Sequence, residues 1–263
     1  MSNLLTWHAL LAMLIGVASG VLSALAGVGG AVVSTPGIRV LGASPLVAVG
    51  STVPAIIPAA ITGSIRYSRA GLIDWRVGMW CGSVGMFSAM AGAIASDHVD
   101  GTLLMVLTAG LVLWSSTSVL RRREPLVDAS PGTGPSVPTR APFVVLVPLG
   151  LAAGFVAGLL GVGGGILLVP SFGRFLHMPL KRTIATSLVA VAAMSVSSLI
   201  GHIAEGHVRW EFALPLMVGV VPGARLGSKI GIHVSDTTMR HLCGGLLLVI
   251  GAVYLASELA RAI

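Results

Sequence analysis

Apolar residues fall along the chain in eight long runs: Leu4 to Ala26, Leu46 to Ile65, Val77 to Ala95, Thr102 to Leu120, Phe143 to Leu160, Thr183 to Ala204, Phe212 to Ile232 and His241 to Ser257. Each is close to twenty residues, and at about 1.5 Å rise per residue twenty helical residues cover the roughly 30 Å hydrocarbon slab of a bilayer. The alternating ten-residue pattern of an outer-membrane barrel is absent. The pattern therefore predicts an all-α, polytopic helical membrane protein with about eight hydrophobic spans. Residues 121–142 form the one linker-like stretch, from Arg121-Arg122-Arg123-Glu124-Pro125 through further prolines and glycines to Arg140. They divide a first membrane repeat, 1–120, from a second, 143–263, and their charge marks them as a cytoplasmic linker.

The two halves read as copies. Gly16, Gly20, Gly27, Gly29, Gly30 and Pro36 recur as Gly150, Gly154, Gly161, Gly163, Gly164 and Pro170, at an offset of 134. The register continues through Pro45 and Pro179 and through Thr52 and Thr186, then shifts by one for Gly71 and Gly206 and for Trp75 and Trp210. Such self-similarity points to an internal duplication.

This repeated signature, GxxxG separated by six residues from GxGG, then Pro, then an apolar helix with Ser and Thr near its start, resembles the TauE/SafE family of sulfite-exporter-like permeases. The resemblance covers essentially the whole chain. It implies an anion transporter of the bacterial inner (cytoplasmic) membrane, often for sulfite, sulfonate or related organosulfur anions. The departure is Ala31, which stands where the second copy has Gly165.

Composition sharpens the membrane reading. Hydrophobic residues make up 55% of the chain and charged ones 10%, well under the quarter usual in soluble domains. Nucleic acid is excluded as a partner, because the formal charge of +7 comes without a basic stripe interleaved with aromatics. Sorting the sixteen Lys and Arg onto two sides tests topology. Eight simple spans give nine against seven; if each GxGG element breaks the first span of its half, the halves are inverted and the split becomes thirteen against three, with Arg39, Arg209 and Arg261 outside. The second sorting obeys the rule that Lys and Arg stay in the cytoplasm, and inverted repeats with broken helices are common in secondary transporters. Cys81 and Cys243 lie inside apolar runs. Neither cysteine nor histidine spacing suggests a metal site, and no cofactor is expected. Assembly as a homo-oligomer is compatible with the sequence.

Chemistry is expected at the glycine elements, where Gly27, Gly29, Gly30, Gly161, Gly163, Gly164 and Gly165 are the candidate substrate-binding residues. Glycine lets backbone leave helical geometry, and irregular backbone at membrane depth is tolerated only where it is buried or lines a wet cavity. A helix starting after such a break aims unpaired N–H groups and a partial positive charge at that place, which suits an anion. Tight helix packing would explain the glycines too. Thr52 and Thr186, near the start of the next helix, are candidate hydroxyl donors; Arg225 is the deepest basic candidate. His202 and His207 read as part of a solvated loop. With no embedded carboxylate or histidine relay in view, the expectation is efflux driven by membrane potential, which is worth about 2.3 kcal/mol per charge per 100 mV. An enzyme is not expected, for no HExxH, acid pair or Ser/His pair lies at depth. The competing expectation is a non-transporting membrane subunit that assists a partner protein.

Overall fold

A computed structural model describes residues 2–121 and 143–262, so that nearly all of the expected linker lies outside the described residues. They form ten helices: α1 Ser2–Ala26, α2 Ala31–Val40, α3 Pro45–Arg69, α4 Trp75–Ser96, α5 Gly101–Leu120, α6 Phe143–Leu160, α7 Gly165–Phe175, α8 Leu180–Ala204, α9 Trp210–His233 and α10 Asp236–Ala262. Local chemistry sets many of these ends. The Asp74 carboxylate accepts from the Val77 amide at the start of α4, and Asp100 accepts from the Thr102 and Leu103 amides at the start of α5. Gly71 and Gly206 take φ of 69° and 71° just past α3 and α8, where a left-handed residue closes a helix.

Seven of these helices are long and apolar enough to cross a membrane, one fewer than the eight runs predict. The exception is α9. Its 24 residues have the length, but Glu211, Arg225 and Lys229 with two prolines and four glycines dilute its apolar character. The short helices α2 and α7, 10 and 11 residues, occupy the same place in the order of each half.

The helices pack by close backbone approach. Along α1 and α9, Gly16 faces Leu216, Gly20 faces Val220, and Gly223 and Gly227 face Val17 and Val21, so the two run parallel. Along α4 and α6, Gly150 faces Cys81, Gly154 faces Gly85 and Gly158 faces Ala89, again parallel. Small residues are what let membrane helices approach this closely. Helix α8 runs parallel to α4, through Gly78 on Val189, Gly82 on Ala193 and Gly201 on Ala93. Helices α5 and α10 are antiparallel, with Leu120 beside Gly244 and Leu113 beside Gly251.

One end of the bundle gathers the α2–α3, α4–α5 and α8–α9 connections, tied by His207 to Asp97 and by the Arg209 amide to the Ser51 hydroxyl. The opposite end gathers the α3–α4, α7–α8 and α9–α10 connections. There the Asp74 amide donates to Thr186, and Lys181 reaches Asp236 at 3.6 Å. Large apolar side chains such as Phe87 and Val144, 81% and 82% exposed, stud the flanks between, as a lipid-facing surface requires.

Candidate functional site: two glycine breaks in contact

Helix α1 stops at Ala26 and α6 at Leu160, and in both places the chain turns through glycines before the short helix begins. Gly27, Gly29 and Gly30 adopt φ of 70°, 87° and 81°; Gly161, Gly163 and Gly164 adopt 63°, 78° and 71°. An L-residue held in this region costs about 1–2 kcal/mol, so runs of such angles are built from glycine. Gly30 and Gly164 are the N-caps of α2 and α7 and supply no side-chain hydrogen bond. The first two amides of each short helix, Ala31 and Val32 in α2 and Gly165 and Ile166 in α7, therefore have neither an intrahelical acceptor nor a side-chain cap, whereas those of Val33 and Leu167 already donate to the N-cap carbonyls at 3.1 Å.

The two breaks touch. A Cβ placed on Gly29 would sit 2.8 Å from the Val162 carbonyl oxygen, and one on Gly163 would sit 3.6 Å from the Gly29 Cα. A Cβ on Gly165 would overlap the Gly27 carbonyl oxygen and the Val28 Cα. The departure between the copies thus has a packing reason: Gly165 meets backbone at that point, whereas Ala31 is buried with its methyl group accommodated. Val28 and Val162, at the two centres, are both 0% exposed, so the breaks are closed on one another in this conformation.

Hydroxyl groups crowd the first break. Ser19 and Ser34 donate to the Gly30 carbonyl at 2.7 and 3.3 Å, and Thr35 lies 3.4 Å from Thr52, oxygen to oxygen. The Ser23 hydroxyl is buried with no hydrogen-bond partner. At the offset of 134, Ser19, Ser23, Ser34 and Thr35 correspond to Ala153, Ala157, Leu168 and Val169. Sequence reasoning missed this cluster, although aligning the two copies for polarity rather than for glycine exposes it.

The other candidates are placed differently. Thr52 is buried beside Thr35 of α2, its hydroxyl donating at 2.8 Å to the Val49 carbonyl, which lies against Gly161 of the second break. Thr186 is buried too, but it accepts from the Asp74 amide at 3.0 Å; its neighbour Ser187 reaches the first break instead, donating to the Gly27 carbonyl at 3.0 Å. Arg225 is exposed on the flank of α9, away from both breaks. Between the ends of α5 and α7 a recess of about 750 Å³ carries Arg121, Arg174 and His177.

Two buried charge-bearing arrangements correct the sequence reading. His202 is 0% exposed and His207 is 7% exposed, so neither belongs to a solvated loop. Five residues apart, they close on one another across the α8 terminus, which a linear scan for polar residues cannot see. Glu258, 2% exposed in α10, pairs with Arg39 at the end of α2 at 3.0 Å. Among the described residues no group of three or more His, Cys, Asp or Glu could hold a metal ion.

Comparison with known proteins agrees with the architecture. The family model described as Sulfite exporter TauE/SafE matches residues 12–254. Among similar curated proteins, the Probable membrane transporter protein YunE of Bacillus subtilis strain 168 is 24% identical, covering 91% of this chain and 94% of its own. A Probable membrane transporter protein of Xylella fastidiosa strain Temecula1 is 26% identical, covering 92% of this chain and 90% of its own. The Probable membrane transporter protein MJ0441 of Methanocaldococcus jannaschii is 24% identical, covering 92% and 93%. No solved structure matches the chain. With ten helices, seven of them able to span, and a family match over nearly its whole length, the chain is a multi-pass membrane transporter and belongs to the TauE/SafE family.

Proposed function

We propose that the protein carries a small anion, of the sulfite, sulfonate or related organosulfur kind, across the bacterial cytoplasmic membrane, and that it acts as a carrier rather than an enzyme. The observation that carries this reading is the pair of abutting glycine breaks, each opening a short helix with uncapped amides. Backbone amides at two helix N-termini favour negative charge without a buried cation. The breaks must part to admit the anion between them. The binding groups on this reading are the backbone at Gly27, Gly29, Gly30, Gly161, Gly163, Gly164 and Gly165, with Thr52 and with the hydroxyls of Ser19, Ser23 and Ser34 beside the first break. Thr186 contacts substrate only after releasing the Asp74 amide, and Arg225 attracts anions from the surface. The recess with Arg121, Arg174 and His177 serves as a positively charged mouth.

Helix directions support inverted halves. Helix α6 runs parallel to α4, α4 to α8, and α1 to α9, while α8 and α9 are joined by the short turn at 205–209. If that turn reverses the chain, α1 and α6, the first helices of the two halves, point in opposite directions. Charge supports a sidedness: Arg66, Arg69, Arg76, Lys181, Arg182 and Arg240 gather toward the Asp74 end, against Arg39 and Arg209 at the Asp97 end. The Asp74 end is then cytoplasmic.

Flux of a radiolabelled sulfonate into proteoliposomes tests the reading. Wild-type protein is expected to move it, and Gly163→Val, which forces a β-branched residue to φ 78° against Val191 and Ile56, is expected to lower flux at least tenfold without preventing membrane insertion. Undiminished flux in that variant overturns the site. Absence of anion flux from well-folded wild-type protein, across sulfite and sulfonates, returns the non-transporting subunit to first place.

A further inference from the structure

The last carbonyls of a helix have no intrahelical donor, so a helix broken inside a protein must find donors elsewhere. Both broken helices find one at the same position of the copy. In the first half the Tyr67 hydroxyl donates to the Ala24 carbonyl at 2.9 Å; in the second, His202 Nε2 lies 2.9 Å from the Gly158 carbonyl. Ala24 and Gly158 correspond at an offset of 134, and Tyr67 and His202 each stand four residues before the glycine that ends their helix, Gly71 or Gly206. Tyrosine gives a fixed donor. Histidine gives a donor with a second, titratable nitrogen behind it.

That nitrogen is not idle. His202 Nδ1 lies 3.4 Å from His207 Nδ1, and His207 Nε2 lies 3.2 Å from Asp97 Oδ1, whose side chain is 48% exposed. The chain runs Gly158 carbonyl, His202, His207, Asp97, water. Proton counting decides its state. Three hydrogen bonds need three hydrogens, and two neutral imidazoles supply two. With only two, either the Nδ1 atoms face each other lone pair to lone pair or one end of the chain loses its bond. The complete chain therefore holds one extra proton, on His207 or shared with Asp97. The elements packed around it add no competing titratable group on that face: α6 and α5 contain none, and those of α3, of α4 (Arg76 and Cys81) and most of α8 sit toward the opposite end. The remaining charged or titratable groups at this end among the described residues are His98, Asp100, Glu205 and Arg209 on the connections, Glu211 at the start of α9, His8 near the start of α1, and Arg39 and Glu258 in their own ion pair.

We propose that Asp97, His207 and His202 form a proton-binding site that couples transport to protons: the proton enters from the Asp97 end, completes the chain that caps the second break, and crosses with the substrate anion. This rests on the anion-carrier reading above, and it replaces potential-driven efflux, whose premise was the absence of a buried histidine relay. An added positive charge on His207, one imidazole behind the donor that caps the second break, favours the anion on the same stroke, which makes the coupling cotransport.

Two measurements test it. In proteoliposomes with the voltage clamped at zero by potassium and valinomycin, a one-unit pH gradient should accumulate a strong-acid sulfonate about tenfold on the alkaline side, since one unit is tenfold for one coupled proton. A sulfonate is used because sulfite itself titrates near neutrality. His202→Gln keeps an amide donor for the Gly158 carbonyl and should retain downhill flux while losing the accumulation. Downhill flux without accumulation in the wild type, or accumulation on the acidic side, overturns the coupling and leaves the carrier reading intact. Independently of any flux, 15N-histidine spectra in nanodiscs should show the His202 and His207 signals titrating together, with the midpoint moved to lower pH by Asp97→Asn. Signals that titrate separately or ignore that substitution overturn the proton site even where sulfonate transport fails altogether.

Discussion

At the residue scale, individual atoms show which polar groups serve packing and which await something else. Ser23 is the clearest case, a hydroxyl fully buried at the first break with no partner. Leaving such a group unsatisfied costs about 1–3 kcal/mol. Ser23→Ala is expected to raise thermal stability in detergent and to weaken substrate affinity; a variant that is stabilised and transports with unchanged affinity would remove Ser23 from the site. Tyr67→Phe is expected to do the reverse, costing about 1–3 kcal/mol by orphaning the Ala24 carbonyl, with no effect on pH dependence. Arg39 and Glu258 form a third case. Glu258→Gln leaves a largely buried guanidinium without its countercharge and should cost about 3 kcal/mol, whereas replacing both with leucine should be far milder. Thermal unfolding of the single and double variants distinguishes these outcomes through the coupling between them.

At the scale of helices, the pattern of apolar runs was enough to locate nearly every long element, because membrane burial demands continuous hydrophobicity. Helix α9 falls short of a span's hydropathy because of its glycines, prolines and charges, yet it runs from the Asp97 end to the Asp74 end, packing its glycines on α1 and exposing Leu214, Val218 and Leu226 on its flank. The glycine elements were legible because positive φ has a near-unique sequence solution. The histidine chain was not legible. His202 reads as the polar tail of a span until the turn at Gly206 folds His207 back onto it, and Asp97 arrives from a connection more than a hundred residues earlier. The same holds for Arg39 and Glu258, joined across almost the full chain. Gly165→Ala probes the element scale directly. Its methyl group has only the backbone of Gly27 and Val28 to occupy, so the two breaks should be pushed apart, read as loss of thermal stability and as new protease sensitivity near residues 27–30 and 161–165. A variant as stable as the wild type would show that the contact is slack.

At the scale of the molecule, sidedness is open to direct measurement. Cys81 and Cys243 are buried, which leaves a silent background for thiol labelling. Glu205→Cys, exposed at the Asp97 end, should react with a membrane-impermeant maleimide added to intact bacterial spheroplasts. Ala70→Cys, exposed at the opposite end, should react only after the membrane is opened. The reverse pattern would invert the assignment of the basic end to the cytoplasm.

The pairing of α1 with α9 and of α6 with α4 has a further consequence. Each half inserts its own opening helix into the other's interior, so neither possesses a complete core by itself, and what fastens them is interdigitation rather than the peptide joint between them. Fragments ending at Arg121 and beginning at Phe143, made together in one cell, should find each other and restore activity, while either made alone should be degraded.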